Sequence, residues 1–307
     1  MSAHRHGFPR DRGLSARMLV TMFLLGLVYV AFVAALIALR FPVSIVVVLA
    51  AALLFSQYYF SDRLALFAAR AREVSAEEEP ELHALVGRLC AFADVDVPRV
   101  AIADSDIPNA FATGRSPKAA VVCVTTGIRR RLAGPELEAV LAHELSHVAH
   151  RDVAVMTIAS GLGMVAGLLT RFLSYAGLYG YGGHYDRDDR GGGLPVLAIM
   201  LVSILVYAIS FLLIRALSRY RELAADRSGA LLTGAPSVLA AALVKVTGEM
   251  GRIPTRDLRA AEPLNAFFFA PALARGFSLS SLFSTHPSLD QRLDQLARIE
   301  AQLGEPG

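Results

Sequence analysis

Tryptophan is absent from this 307-residue chain and cysteine is nearly so. The two cysteines, Cys90 and Cys123, stand far apart and form no C-x-x-C pair. That excludes a thiolate metal site and a disulfide framework, and it leaves both as core residues in a reducing compartment. Charge is scarce as well: 19% of residues are charged against 54% hydrophobic, too apolar for an ordinary soluble domain. No long basic run is present, which removes nucleic acid as a partner. The net charge is a modest +3. The basic residues cluster beside apolar segments, where lipid phosphates are their natural neighbours. No internal repeat is visible. What these absences leave is an integral membrane protein.

The long uncharged runs define its organisation. Residues 1–17 read as a polar, disordered tail carrying Arg5, Arg10, Arg12 and Arg17. Met18–Leu39 and Val43–Phe60 carry no charge and are long enough to cross a bilayer, with Arg40-Phe41-Pro42 as the turn between them. The first run is too long for a signal peptide and ends in no clean cleavage site. Arg63, Arg70, Arg72 and the tail face Arg40 alone across this hairpin (18–60), so the positive-inside bias puts both its ends in the cytoplasm. A second hairpin (153–217) is predicted from Val153–Thr170, continuing to Leu178, and from Leu194–Ile214. Its Gly-rich loop, 179–193, then lies outside, and Arg171 snorkels to the outer interface. The polar parts 61–152 and 218–307 return to the cytoplasm.

Within those parts, helical spacing of Leu82, Leu85, Val86, Leu89 and Phe92 predicts a helix over Pro80–Asp94. Val100–Ala103 and Ala119–Thr125 have strand composition, and Ile107–Gly114 between them reads as a turn-rich link. Gly134-Pro135-Glu136 opens a helix, with proline at its first position and acids in its first turn. Further helices are expected over Pro236–Met250 and from Pro287 to about Leu303. Asp257–Thr285 looks irregular.

The Gly134 helix carries His143-Glu144-Leu-Ser-His147, an H-E-x-x-H pattern. Its two imidazoles lie one turn apart on one face and can hold a divalent metal, and Glu144 beside them can take a proton from a water. A hydrolytic zinc site needs three protein ligands and an open position, so a third His, Asp or Glu must come from elsewhere. Glu222, in Arg221-Glu-Leu-Ala-Ala-Asp226, is the best placed, just where the second hairpin returns. Asp226 shares its face and can accept from a ligating imidazole. A solvated helix face pairing with Arg219 or Arg221 explains the same pair. His150 and His286 remain in competition as a helix-end residue and a cap-region residue, and His184 is excluded by the expected topology. His83 and the tail histidines have no expected site role.

Several ordered motifs together resemble the HtpX-type membrane zinc metalloproteases, relatives of the type I CAAX prenyl endopeptidases. They are N-A-F-A-T-G at Asn109–Gly114, H-E-L-S-H-V at His143–Val148 followed by Arg151-Asp152, R-E-x-x-A-D at Arg221–Asp226, and T-H-P-S at Thr285–Ser288 followed by Arg292. The resemblance covers nearly the whole chain. It implies a mainly α, four-span membrane protein with a cytoplasmic zincin-like α+β domain and a small sheet. It implies one Zn2+ per subunit on His143, His147 and Glu222, Glu144 as general base, and Asp226 orienting a ligand. His286 would stabilise the oxyanion, with Arg292 in support. Asn109 opens a stretch preceding an edge strand, Ala119–Thr125, that would pair with an extended substrate.

The expected function is therefore zinc-dependent endoproteolysis of membrane proteins or their cytoplasmic segments, in membrane protein quality control at the cell (inner) membrane. The partners are protein or peptide substrates and the lipid bilayer. An intramembrane protease is disfavoured because Glu136, Glu138, Arg151 and Asp152 bracket the motif. A non-catalytic scaffold has no use for Glu144, and CAAX-type processing stays open as a third reading.

Overall fold

A computed structural model describes residues 12–175, 193–250 and 286–304. The fold is mainly helical with one small sheet. Helix α1, Arg12–Ala38, begins inside the stretch expected to be a disordered tail, and Leu14 is buried. The correction has a simple cause: Arg12–Arg17 holds no helix breaker but Gly13, so a helix nucleated by the apolar run extends backward through it. Residues 1–11 lie outside the described residues. Arg40 takes a left-handed conformation (φ 55°) and the N–H groups of Arg40 and Phe41 close the end of α1.

Helix α2, Val43–Ala68, runs past Phe60, where the first apolar run ends. It is roughly 39 Å long, and its last turns pack against the sheet through Ala65. There Asp62 is buried against Arg99, with the carboxylate 2.8 Å from the guanidinium. Three helices among the described residues are long and apolar enough to cross a membrane by length and composition: Arg12–Ala38, Asp152–Phe172 and Val196–Thr233. Phe32, Leu36, Val46, Val165, Ala166 and Val206 pack α1, α2, α6 (Asp152–Tyr175) and α7 (Gly193–Thr233) together.

The sheet has the order β1-β2-β4-β3, from Ala71–Glu73, Arg99–Ala103, Val121–Thr125 and Ala110–Thr113. β2 and β4 are parallel, and the two outer strands are antiparallel to their neighbours. Side chains alternate across it. Val100, Ile102, Ala110, Val122 and Val124 face the main core with helices α3 (Pro80–Ala93), α5 (Gly134–Ala149), α8 (Pro236–Met250) and α9 (Leu289–Gly304). Ala101, Ala103, Phe111, Val121 and Cys123 face the end of α2.

Two strand expectations are corrected here. Ala119–Thr125 is not the edge strand: Pro117–Ala119 forms a 3-10 turn and β4 is interior. The edge is β3, formed by the motif stretch that reads as a turn-rich link. Ala-Phe-Ala-Thr is too short and too alanine-rich to signal a strand locally, and only pairing with β4 makes it one. β1, three residues long, escapes sequence reading for the same reason.

After β4, Thr125 caps the short helix α4, Thr126–Arg131, by accepting from the N–H of Ile128. Glu136 accepts the N–H of Ala133 at 2.7 Å and secures the start of α5. α7 is one continuous helix of 41 residues rather than a span followed by a separate helix. It is therefore a rigid rod from the apolar region to Glu222 and Asp226.

Candidate metal centre

α5 lies buried between the sheet and α7, so His143 and Glu144 are almost fully enclosed. The ring positions of His143 and His147 follow from the i, i+4 spacing: the two imidazoles stand 5.0 Å apart between centroids at 85°. α7 crosses α5 with Glu222 facing both. Glu222 Oε2 is 3.7 Å from His143 Nε2, and Oε1 is 3.5 Å from His147 Nε2. Ligand atoms of these three residues lie within 4.8 Å of one another. Tetrahedral zinc with bonds of about 2.0–2.1 Å separates its ligand atoms by about 3.4 Å, so the donor set and its spacing fit such an ion.

Behind each histidine stands a carboxylate, and behind each carboxylate an arginine. His143 Nδ1 is 2.9 Å from Asp226 Oδ1. Asp226 in turn takes two bonds from the buried Arg292 of α9, at 2.7 and 2.5 Å. His147 Nδ1 is 2.6 Å from Asp152 Oδ2, which also lies 2.8 Å from Arg221. A carboxylate on Nδ1 keeps the proton there and turns the Nε2 lone pair inward, where a metal ligand is needed. His286 adds a third imidazole, with Nδ1 3.1 Å from Glu222 Oε2.

Burial opposes the charged form of His143, but bonds to Asp226 and Glu222 outweigh it and lift its pKa to about 9. A metal cation therefore competes with a proton at this imidazole. Burial raises the Glu144 carboxyl, with His143 and His147 pulling the other way. Its Oε2 accepts the N–H of Ala112 at 3.1 Å, so β3 touches the glutamate with its open edge. Bonding of Thr125 N–H to Asn109 C=O sets the register of that edge, and Asn109 enters through its backbone at the head of β3.

The structure thus brings together His143, Glu144, His147, Glu222, Asp226, His286 and Arg292, and it places Asn109 at the start of the adjoining strand. Arg221 pairs with Asp152, not with Glu222 or Asp226. His150 caps α5, and His83 bonds the carbonyl of Val74 at 3.0 Å. His184 and Thr285 lie outside the described residues. Sequence reading assigned no role to Asp152, although its position five residues after His147, at a helix start, was a usable signal. It also missed Gly229. A Cβ there would stand 2.8 Å from the backbone nitrogen of His143, so glycine is what lets α7 approach α5 this closely.

Comparison with known proteins agrees with this geometry. Residues 76–300 match peptidase family M48. A protease HtpX homolog of Streptomyces coelicolor is 61% identical over 299 residues, covering 97% of this chain and 96% of that one. One from Moorella thermoacetica is 53% identical over 301 residues, covering 98% and 99%. The crystal structure of S. mikatae Ste24p shares the fold, with a TM-score of 0.53 at 18% identity, over 93% of this chain and 67% of that one. Two imidazoles and a carboxylate converging on one point, with a glutamate beside them and apolar helices on either side, are what that kinship requires: the chain belongs to peptidase family M48, as a membrane-bound metalloprotease.

Proposed function

We propose that the chain is a zinc-dependent endopeptidase that cleaves membrane proteins or their cytoplasmic segments at the inner face of the cell membrane, in membrane protein quality control. The observation that carries this reading is Glu144 beside the His143–His147–Glu222 cluster, hydrogen-bonded to the open edge of β3. A structural metal site has no need of a buried carboxylate so placed.

Zinc, when bound by His143, His147 and Glu222, polarises the scissile carbonyl and makes water acidic enough to attack at neutral pH. The protein does the rest. An extended substrate adds as a strand to β3, which orients its backbone across the site. Glu144 takes the proton of the attacking water and passes it to the leaving amine; its raised pKa suits both tasks. His286 presents its ring as a donor toward the oxyanion. Asp226 with Arg292, and Asp152 with Arg221, hold the imidazoles in place.

The positive-inside bias and the apolar runs support four spans, α1, α2, α6 and α7, with both termini and the soluble parts cytoplasmic. The domain division is then an N-terminal segment at 1–17, whose residues 12–17 form the first turns of α1, hairpins at 18–60 and 153–217, and the two catalytic parts at 61–152 and 218–307. Glu144→Gln tests the enzyme reading. Purified in detergent with zinc, it should bind the metal as the wild type does and lose about 1,000-fold or more in cleavage of a membrane-protein substrate. Equal cleavage by both proteins, or by neither across a broad substrate panel, would leave the non-catalytic scaffold.

A further inference from the structure

Beside His147 the surface dips into a shallow cleft lined by Thr113, Gly114, Arg115, His147, Arg151 and Asp152, among others. One wall is the end of β3 and the loop after it, and the other is the junction of α5 with α6. A substrate strand laid along β3 must pass its side chains over this cleft.

Its charge is uneven. Asp152 is the one carboxylate among the described residues lining it, and His147 and Arg221 already engage that group. Arg115 and Arg151 have no carboxylate partner among the described residues. Arg115 is nonetheless held in position: its guanidinium lies 5.2 Å from the Tyr59 ring centroid and donates to the Tyr59 carbonyl at 3.5 Å. Gly114, at φ 135°, brings the loop to where a Cβ would stand 2.6 Å from the Ala119 carbonyl oxygen, and so fixes the wall that carries Arg115.

Arg151 stands on the opposite wall. It follows the C-cap of α5 in a left-handed conformation, φ 55°, a position that favours glycine. Arg40, Arg70 and Asp94 take the same conformation after other helices, so this is the ordinary way a helix ends in this fold, and it sets where the Arg151 backbone stands on the wall of the cleft.

We propose that this cleft receives an acidic side chain of the substrate, a few residues from the scissile bond, between Arg115 and Arg151. The inference rests on the proteolytic reading above. A lipid phosphate is the other anion within reach of a membrane surface. The cleft shares its wall with His147 and the β3 edge, however, so a lipid seated there would occupy the substrate's own path.

The test is a set of peptides of one neutral sequence in which each position flanking the cleavage site is in turn Glu, Gln or Lys. They are assayed in detergent and in vesicles of neutral or anionic lipid. At one position the wild type should prefer Glu over Lys by about tenfold or more in kcat/KM, the size expected of one charge-assisted hydrogen bond that Glu makes and Lys does not. Arg151→Gly keeps the backbone in a conformation that glycine favours, so it should unfold no earlier than the wild type while its Glu-to-Lys ratio falls several-fold. R115E/R151E should invert the preference. A wild type that cleaves without discriminating, or an Arg151→Gly protein that discriminates undiminished, overturns the proposal. So does a dependence on anionic lipid that is the same for every peptide and lost in the variants, which would make the cleft a headgroup seat. If instead wild type and Glu144→Gln behave alike on all peptides, it is the protease reading that fails.

Discussion

Gly229→Ala should damage the metal centre although the residue touches no metal ligand with a side chain. The added methyl would stand 2.8 Å from the backbone nitrogen of His143 and 3.0 Å from its Cα. Non-bonded carbon contacts settle nearer about 3.5 Å, so α7 must withdraw from α5 by roughly 0.6 Å. Neither obstacle can rotate away, because both belong to the hydrogen-bonded backbone of α5. The same face of α7 carries Asp226 one turn earlier and Glu222 two turns earlier. The 2.9 Å contact between His143 Nδ1 and Asp226 would open past hydrogen-bonding range, and Glu222 would leave its place opposite the two Nε2 atoms. Metal sites tolerate displacements of only about 0.2 Å. Loss of an orienting carboxylate lowers metal affinity by about 10–100-fold, and a misplaced site loses about 100-fold in turnover. Overpacking of this kind costs about 1–3 kcal/mol in stability. The assays are competition for zinc against a chromogenic chelator, cleavage of a fluorogenic peptide, and thermal unfolding, all in detergent. Gly248→Ala on α8 is the control: its methyl meets nothing within 4 Å, so it should leave zinc affinity untouched. A Gly229→Ala protein with wild-type zinc affinity and turnover would refute the claim that helix spacing sets the site.

Other outcomes follow from the same geometry. Asp152→Asn removes the carboxylate 2.6 Å from His147 Nδ1, so zinc affinity should fall about 10–100-fold; Arg221→Gln, which leaves that carboxylate in place, should cost less, and equal losses in chelator competition would contradict the arrangement. Ala112→Pro removes the N–H that Glu144 accepts and blocks strand addition at the edge; kcat/KM should drop about tenfold or more with zinc affinity retained, and unaltered cleavage would rule out β3 as the docking edge. Burial pushes the Cys90 thiol up to about 11 and the Cys123 thiol up to about 12. At pH 8 their thiolate fractions are roughly 0.001 and 0.0001, so iodoacetamide labelling followed by mass spectrometry should track unfolding, not reaction of the native protein. Both folded-state values lie above that of a free thiol. Their contribution to stability is therefore complete below about pH 8.5 and is lost as the pH rises toward those values.

How much of this was readable from the chain alone differs by element. The uncharged runs announced the apolar helices because a bilayer demands length and composition, both of which are local. The Gly134 helix was equally legible: proline and acids at its start, then His143 and His147 one turn apart. Helices α3, α8 and α9 showed through their periodic apolar faces. Arg12–Arg17 and the last turns of α2 were misjudged because a helix continues into polar sequence once a long apolar segment has nucleated it. β3 was missed because four residues hold too little pattern to distinguish a strand from a turn.

The sequence by itself determined the chemistry: two imidazoles and a carboxylate at fixed helical spacing, and an apolar chain to carry them. Residue types and i, i+4 geometry suffice for that, since two ligands and the base belong to one helix. Only the tertiary structure decided which carboxylate faces them. Glu222 is distant in sequence, and it reaches the site because α7 runs unbroken out of its apolar segment and packs on α5 at Gly229. The pairing of His143 with Asp226 and the open edge of β3 against Glu144 were decided there too. Each is a contact between elements whose separation depends on how helices and strands pack, and no local pattern encodes that distance.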